Sequence, residues 1–197
     1  MNQTMNPNFF YGYLFISYLI ASIPFGLIIT KFLLKIDVRT QGSGNIGATN
    51  VFRTGSKGAA ISTLLFDGLK GFVPVFLLLS QNHHSPHAFF IAGACVIGHV
   101  FPLWLKFKGG KGVATTLGVS FALYPLWGVF LLLIWIGMYG MKKISSLSAL
   151  TAIGLSPVFI YFSTHQKDFT VFSIVLAVFI FWTHRDNIKR LLNHRET

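Results

Sequence analysis

The chain has 197 residues, 53% of them hydrophobic and only 11% charged, with 21 Phe and a mean hydropathy of +0.63. An ordinary soluble domain carries about 25% charged residues, so this chain has too few charges to cover a water-facing surface and reads as an integral membrane protein. The net charge of +11 does not point to nucleic acid, because the basic residues form no patch or arm. They recur in short clusters between apolar runs, as in loops facing the cytoplasm.

A span needs about 20 mostly apolar residues. The first run, residues 9–30, follows an N-terminus without Lys or Arg, so it reads as a retained span and not a cleaved signal peptide. Lys31, Lys35 and Arg39 end it. Residues 42–53, Gly-Ser-Gly-Asn-Ile-Gly-Ala-Thr-Asn-Val-Phe-Arg, come next. Glycines let backbone N–H groups approach an anion. Ser43, Asn45, Thr49 and Asn50 add neutral hydrogen-bonding groups, and Arg53 adds a charged planar fork. The stretch suits an oxyanion cradle, but a flexible connector between helices has the same composition. Gly42, Gly44 and Gly47 also match G-x-G-x-x-G, with Asp67 downstream. No strand–helix–strand unit surrounds them, and Asp67 falls inside an apolar run, so a dinucleotide site is rejected.

The second run, 58–80, contains Asp67 and Lys70 on one helical face, where an intramembrane pair is expected to face the bundle interior as a structural ion pair. The third, 88–105, contains the only cysteine, Cys95, for which a packing role is expected. The loop between these runs carries His83, His84 and His87, which lack acid or Cys partners and are assigned no site and no metal. Residues 107–116 form a second glycine-rich stretch in which Lys108 and Lys111 flank Gly109 and Gly110, with Gly112 at an expected helix N-terminus suited to an anion. A plain positive-inside stop signal is the alternative. A Walker A loop is excluded, since Gly112 follows Lys111 where Ser or Thr is required.

Residues 112–141 carry one charge-free stretch, and Pro125 predicts a break at Tyr124, giving a short fourth span (112–124) and a fifth (125–141). The sixth (144–163) and seventh (169–183) follow, then a basic tail. With the N-terminus outside and the C-terminus cytoplasmic, every Lys and Arg except Lys70 and Lys167 falls in a cytoplasmic segment. The expectation is an all-α polytopic bundle of seven transmembrane helices forming one domain over residues 1–197. Its two glycine stretches and its tail meet at one cytoplasmic mouth. If the last helix continues into the tail, His184 and Asn187 share a face, and Ile188, Leu191 and Leu192 can pack inward. His184 suits proton transfer or phosphate binding; a basic amphipathic tail resting on anionic headgroups is the alternative.

On residues 42–53 with 66–71, 98–102 with 107–115, and 184–192 with Glu196, the sequence closely resembles the bacterial acyl-phosphate:glycerol-3-phosphate acyltransferase family. His194 stands where many members have Gly, and Ala149 where a second serine after Ser146 is expected. The resemblance implies an inner-membrane enzyme of phospholipid synthesis, with acyl phosphate as donor, glycerol 3-phosphate as acceptor, and no cofactor or obligate protein partner. On that reading Ser43, His184 and Asn187 are catalytic. Gly44, Asn45, Gly47, Asn50, Arg53, Lys108, Gly109, Gly110, Lys111 and Gly112 bind phosphate, and Asp67, Lys70 and Glu196 are structural near the site. No histidine has Asp five residues later, so the His-x-x-x-x-Asp base pair of the other large glycerolipid acyltransferase class is missing. A transporter of small phosphorylated anions is the rival reading.

Overall fold

Apolar segments without access to water must satisfy their own backbone groups, which a helix does within one segment. The computed structural model describes residues 6–81 and 87–196, and these contain helices and no strand. The first apolar stretch, Pro7–Leu34, is broken into α1 (Pro7–Ala21) and α2 (Phe25–Ile29), which runs on into a wider π turn, Thr30–Leu34. Pro24, with no N–H for the ladder, sits at the break. Next come α3 (Ala48–Arg53), α4 (Lys57–Gln81) and α5 (Ala88–Val100), the last followed by a tight turn at Leu103–Leu105. The remaining helices are α6 (Val113–Leu123), α7 (Pro125–Lys142), α8 (Ser145–Thr164), α9 (Lys167–Thr183) and α10 (Arg185–Leu192).

Five stretches are long and apolar enough to cross a membrane: Pro7–Leu34, α4, Ala88–Leu105, α7 and α8. The bent pair α9–α10 makes a sixth, while α6, though apolar, is shorter. The break predicted at Tyr124 is present, with extended backbone there and Pro125 opening α7. The tail differs from a straight continuation, because the chain bends by 66° between α9 and α10. Leu192 is consequently 76% exposed and does not pack inward. His83 and His84 lie outside the described residues, and His87 packs its ring 4.4 Å from that of Phe10.

Small residues let the helices approach closely. A Cβ on Gly118 of α6 would stand 2.0 Å from the carbonyl oxygen of Gly68 in α4, and one on Gly71 would stand 2.5 Å from that of Thr115. On the other side, a Cβ on Gly98 of α5 would meet Tyr18 O of α1 at 2.5 Å. Without water there is little hydrophobic drive between helices, so such backbone contacts and interhelical hydrogen bonds carry the association. Ile91, Cys95, Val119, Trp127, Ile160 and Ile180 fill the centre of the bundle. Phe15, Phe32, Leu65, Phe90, Leu133 and Phe162 are each more than half exposed on its flanks, an apolar surface suited to lipid.

Adding one methyl at the α4–α6 contact leaves only backbone to give way. Gly118→Ala is therefore expected to destabilise the detergent-solubilised protein by about 1–3 kcal/mol. Gly137→Ala, which meets open space, is expected to leave the thermal unfolding midpoint unchanged.

Candidate active site

The first glycine stretch is a tight loop entering α3. Gly42 and Gly44 have φ of +51° and +71°, conformations that favour glycine, and a Cβ on Gly42 would come within 2.4 Å of Asn50 Oδ1. Asn50 is the staple of this loop. Its side-chain NH2 donates to the carbonyls of Val38, Gln41 and Asn45 at 2.8–3.0 Å, and its Oδ1 accepts the Ser43 N–H at 2.9 Å. That amide is committed to the backbone, so Asn50 shapes the cradle where a direct hydrogen bond to phosphate was expected. Asn45 Oδ1 accepts the Gly47 N–H at 2.8 Å, and Thr49 shares a hydroxyl contact of 2.9 Å with Ser145 at the start of α8. On the approach to the loop, a two-pronged hydrogen bond from Arg39 holds the Asp37 carboxyl well below the usual range.

The second glycine stretch packs against the end of α5. The N–H groups of Gly109 and Gly110 donate to the carbonyls of Val100 and His99 at 3.0 and 3.1 Å. A Cβ on Gly110 would overlap the His99 ring, and one on Gly109 the His99 carbonyl. These two glycines therefore serve close packing, and their N–H groups are not turned to an anion. What the packing delivers is Lys111, whose Nζ donates to Asn187 Oδ1 and whose carbonyl accepts the Thr183 hydroxyl at 3.0 Å. Burial, reinforced by nearby Arg190, lowers the Lys111 pKa; Glu196 and Asp186 oppose this. Gly112, at φ +87°, opens α6. Lys108 is exposed and, with Gly44 and Gly109, lines a neighbouring recess of about 670 Å³ that also holds Arg39, Lys106 and Arg190.

The tail closes the site. His184 sits at the bend, 3% exposed, with Nδ1 2.9 Å from Ile180 O. A carbonyl only accepts, so Nδ1 carries the proton and Nε2 keeps its lone pair. Burial pushes the His184 pKa down to about 4, with Lys111 adding to the effect. After α10 the chain turns back at His194, which has φ +54°, the left-handed region where glycine is the easy choice. This turn brings Glu196 onto Ser146 (2.8 Å), Asn187 and Arg190. Burial works against ionisation of Glu196, but those three hydrogen bonds outweigh it and lower its pKa. Ser146 thus has a partner, and the second serine of the site is Ser145, which precedes it.

These segments surround one cavity of about 400 Å³. Its mouth is formed by Ser43, Asn45, Arg53, Lys111, His184 and Asn187, with Gly47, Gly112, Asn50 and Glu196 also in the wall. Its other end is an apolar groove between α7 and α8, lined by Leu131, Trp135, Ile136, Ala149, Ala152 and Ile153. Asp67, ion-paired to Lys70 at 2.7 Å, reaches the wall as well, whereas Lys70 does not. Sequence reasoning missed His99, Thr116 and Ser145. His99 and Thr116 sat inside stretches already singled out, and the Ser145–Ser146 doublet was visible, but nothing local showed that they faced the same space.

A helical, membrane-type chain with a polar, cation-bearing mouth opening into an apolar groove is suited to handling amphipathic, phosphate-bearing molecules. Residues 11–194 match the family model described as glycerol-3-phosphate acyltransferase. Proteins named glycerol-3-phosphate acyltransferase are similar throughout. The one from Pelagibacter ubique is 47% identical over 92% of this chain and 93% of its own, and that from Bartonella quintana is 42% identical over 100% and 94%. Crystal structures of PlsY (YgiH), an integral membrane glycerol 3-phosphate acyltransferase, in its glycerol 3-phosphate and lysophosphatidic acid forms superpose with TM-scores of 0.90 and 0.88. Both are 38% identical, over 95% of this chain and 94% of theirs. The chain belongs to the glycerol-3-phosphate acyltransferase family.

His184 gives a pH signature. Its pKa is about 4 in the fold against an ordinary 6.5, so between those values the unfolded chain binds more protons and stability rises with pH. The unfolding midpoint is expected to fall as pH drops from 6.5 toward 4.5. His184→Gln should flatten that slope, measured by thermal unfolding in detergent across the same range.

Proposed function

We propose that the protein transfers a fatty acyl group from acyl phosphate to the 1-hydroxyl of glycerol 3-phosphate, as one domain of seven membrane spans with its N-terminus outside and its site facing the cytoplasm of a bacterial inner membrane. The observation that carries this reading is the single cavity joining a mouth with Arg53 and Lys111 to an apolar groove. Two phosphate-bearing substrates need the first, and one acyl chain needs the second. Glycerol 3-phosphate and lysophosphatidic acid are what the similar PlsY structures carry, and both fit that division.

Acyl phosphate is a mixed anhydride and already activated, so the tasks left to the protein are orientation and stabilisation of developing charge. Arg53 and Lys111 neutralise phosphate, while the Ser43 hydroxyl and the Asn45 amide hydrogen-bond around it, and Asn187, held by Glu196, fixes Lys111. The acceptor oxygen attacks the carbonyl carbon, the bond from that carbon to the phosphate oxygen breaks, and the phosphate leaves with the electron pair. His184 Nε2 takes the hydroxyl proton and passes it to the departing phosphate. Its low pKa rises once two anions lie beside it, since an adjacent negative charge favours the protonated ring. The products are lysophosphatidic acid and inorganic phosphate. Lys108, outside the cavity, contributes at the entrance through its charge.

Purified protein given radiolabelled glycerol 3-phosphate is expected to form lysophosphatidic acid with palmitoyl phosphate and not with palmitoyl-coenzyme A. In the same assay Arg53→Lys should lose roughly ten- to a hundredfold in kcat/KM, the worth of one charge-assisted hydrogen bond at ~1.5–3 kcal/mol. Comparable turnover with coenzyme A thioester, or full activity in Arg53→Lys, would contradict the scheme.

Orientation rests on the distribution of Lys and Arg. Single cysteines placed at Ser43 and Lys167 in a Cys95→Ala background are expected to label from the inside and the outside of sealed cells, respectively. The reverse pattern would invert the topology.

A further inference from the structure

Helix α10 presents different chemistry on its two faces. On the inner face Asn187, 5% exposed, meets Lys111, and Asn187 and Arg190 both donate to Glu196. Arg185, Lys189 and Leu192, spaced i, i+4 and i+7, form the opposite stripe, and all three are exposed. Among the described residues neither Arg185 nor Lys189 makes an ion pair. The acid of this helix, Asp186, lies off the stripe and lines the recess with Arg190. Arg185 instead lies over Trp182: its guanidinium is 4.8 Å from the ring centre, and Nη1 donates to the Trp182 carbonyl at 3.2 Å.

The surroundings of the stripe narrow what it meets. Trp182, near the end of the apolar α9, is half exposed and packs its ring 5.9 Å from those of Phe101 and Phe179. Tryptophan at the end of an apolar helix sits at the level of the lipid headgroups, and the arginine laid over it marks the same level. Membrane helices tilt by about 20° on average, so the 66° bend after α9 turns α10 toward the membrane plane. A short helix lying there with a row of cations suits anionic headgroups. One turn separates Arg185 from Lys189, about 6 Å along the axis, so a single phosphodiester reaches both. Leu192, on the same stripe, then enters the acyl boundary instead of standing in water. A soluble acidic partner would have to displace lipid from Trp182 to reach these cations.

We propose that α10 is an interfacial helix whose Arg185 and Lys189 bind the headgroups of anionic phospholipids, and that this contact holds Asn187 and Lys111 in place. Eight residues are too few for a stable helix by themselves, so α10 depends on what lies against both of its faces. Glu196 and Lys111 support it from within; a headgroup fixes the same helix from outside. The lipid contact stands on the geometry of α9 and α10, and its consequence for turnover rests on the acyl-transfer reading above.

The test places the purified full-length protein in nanodiscs of phosphatidylcholine, alone or mixed with phosphatidylglycerol. Turnover at saturating palmitoyl phosphate and glycerol 3-phosphate is expected to be about threefold higher or more with phosphatidylglycerol. An anionic surface repels both substrates and raises their KM, so surface charge by itself gives no such gain in kcat. Phosphatidylglycerol added to the detergent-solubilised protein should also raise the thermal unfolding midpoint, and phosphatidylcholine should not. Arg185→Gln combined with Lys189→Gln is expected to lose the gain in turnover and to need about tenfold more phosphatidylglycerol, or more, for the thermal shift. Arg185→Lys with Lys189→Arg keeps the charges and should keep both responses. Lys167→Gln, which removes a cation at the other end of α9, should respond as wild type. Should the double variant fail to fold, Lys189→Gln alone serves in its place, with a smaller shift of about fivefold. A wild type indifferent to lipid charge overturns the proposal, as does a double variant that keeps both responses. Soluble polyglutamate acting as well as phosphatidylglycerol would make the stripe a general anion patch and overturn it too. A thermal shift without a gain in turnover overturns the link to the site. If no lysophosphatidic acid forms in any lipid, the acyl-transfer reading falls, while the thermal shift still decides the lipid contact.

Discussion

Lys70 carries an ammonium group in the middle of α4 at 4% exposure, and much of the bundle is arranged around pairing it. A charge at that depth is tolerated only with partners facing the interior. Two are supplied. Asp67, one turn earlier, lies 2.7 Å away, and the carbonyl of Ile23 accepts a hydrogen bond at 2.8 Å. Ile23 stands in the break that Pro24 makes in the first apolar stretch, and its carbonyl, released from the helical ladder, accepts both the Phe25 N–H at 3.1 Å and the lysine. Asp67 in turn accepts the Thr115 hydroxyl on its backbone carbonyl. One ion pair thus joins the first stretch, α4 and α6, and places a carboxylate in the cavity wall. Removing either partner alone would leave the other charge buried, which is why such pairs are hard to lose even where their net contribution is small.

The site proper is assembled from backbone geometry more than from side-chain charge. Asn50 gathers three carbonyls and an N–H, and the left-handed Gly42 and Gly44 let the chain wrap around it. Gly109 and Gly110 let a loop settle onto the end of α5. In both places glycine matters because a side chain would overlap an atom that is itself held. The few cations and hydrogen-bonding groups at the mouth are then set in position by neighbours: Lys111 by Asn187 and Thr183, Asn187 by Glu196, and Glu196 also by Ser146 and Arg190. Such a chain of contacts leaves little reorganisation for the moment of reaction, the condition under which electrostatic stabilisation is strongest.

Polar mouth and apolar groove also divide the helices. The mouth is built from loops and helix ends: the 42–53 loop, the start of α6, the α9–α10 bend and the returning tail. The groove is built from α7 and α8, whose small residues Ala149 and Ala152 line it together with Leu131 and Trp135. Ala149, which departs from the serine expected there, is one of these groove residues, and its methyl group suits an apolar lining.

Composition and the spacing of charges were enough to establish a helical membrane chain, the approximate helix limits and the break at Tyr124, because each is a local matter of hydropathy or of a proline ring. The types of residue at the mouth were legible for the same reason: Arg53, Lys111 and His184 stand out against apolar surroundings. Their duties were less legible. Asn50 and Gly110 look like anion ligands in a linear reading, yet their hydrogen-bonding groups are taken up by carbonyls that only the folded loop brings near. His99 and Thr116 look like ordinary core residues until three helices leave their polar atoms facing one cavity. Ser146 gained its partner, Glu196, which is 50 residues away in sequence, through the turn at His194. Hydropathy and backbone preference are properties of short segments and can be read from the chain itself. Which polar atoms are satisfied, and by what, is a property of distances between segments, and only the tertiary structure decided it.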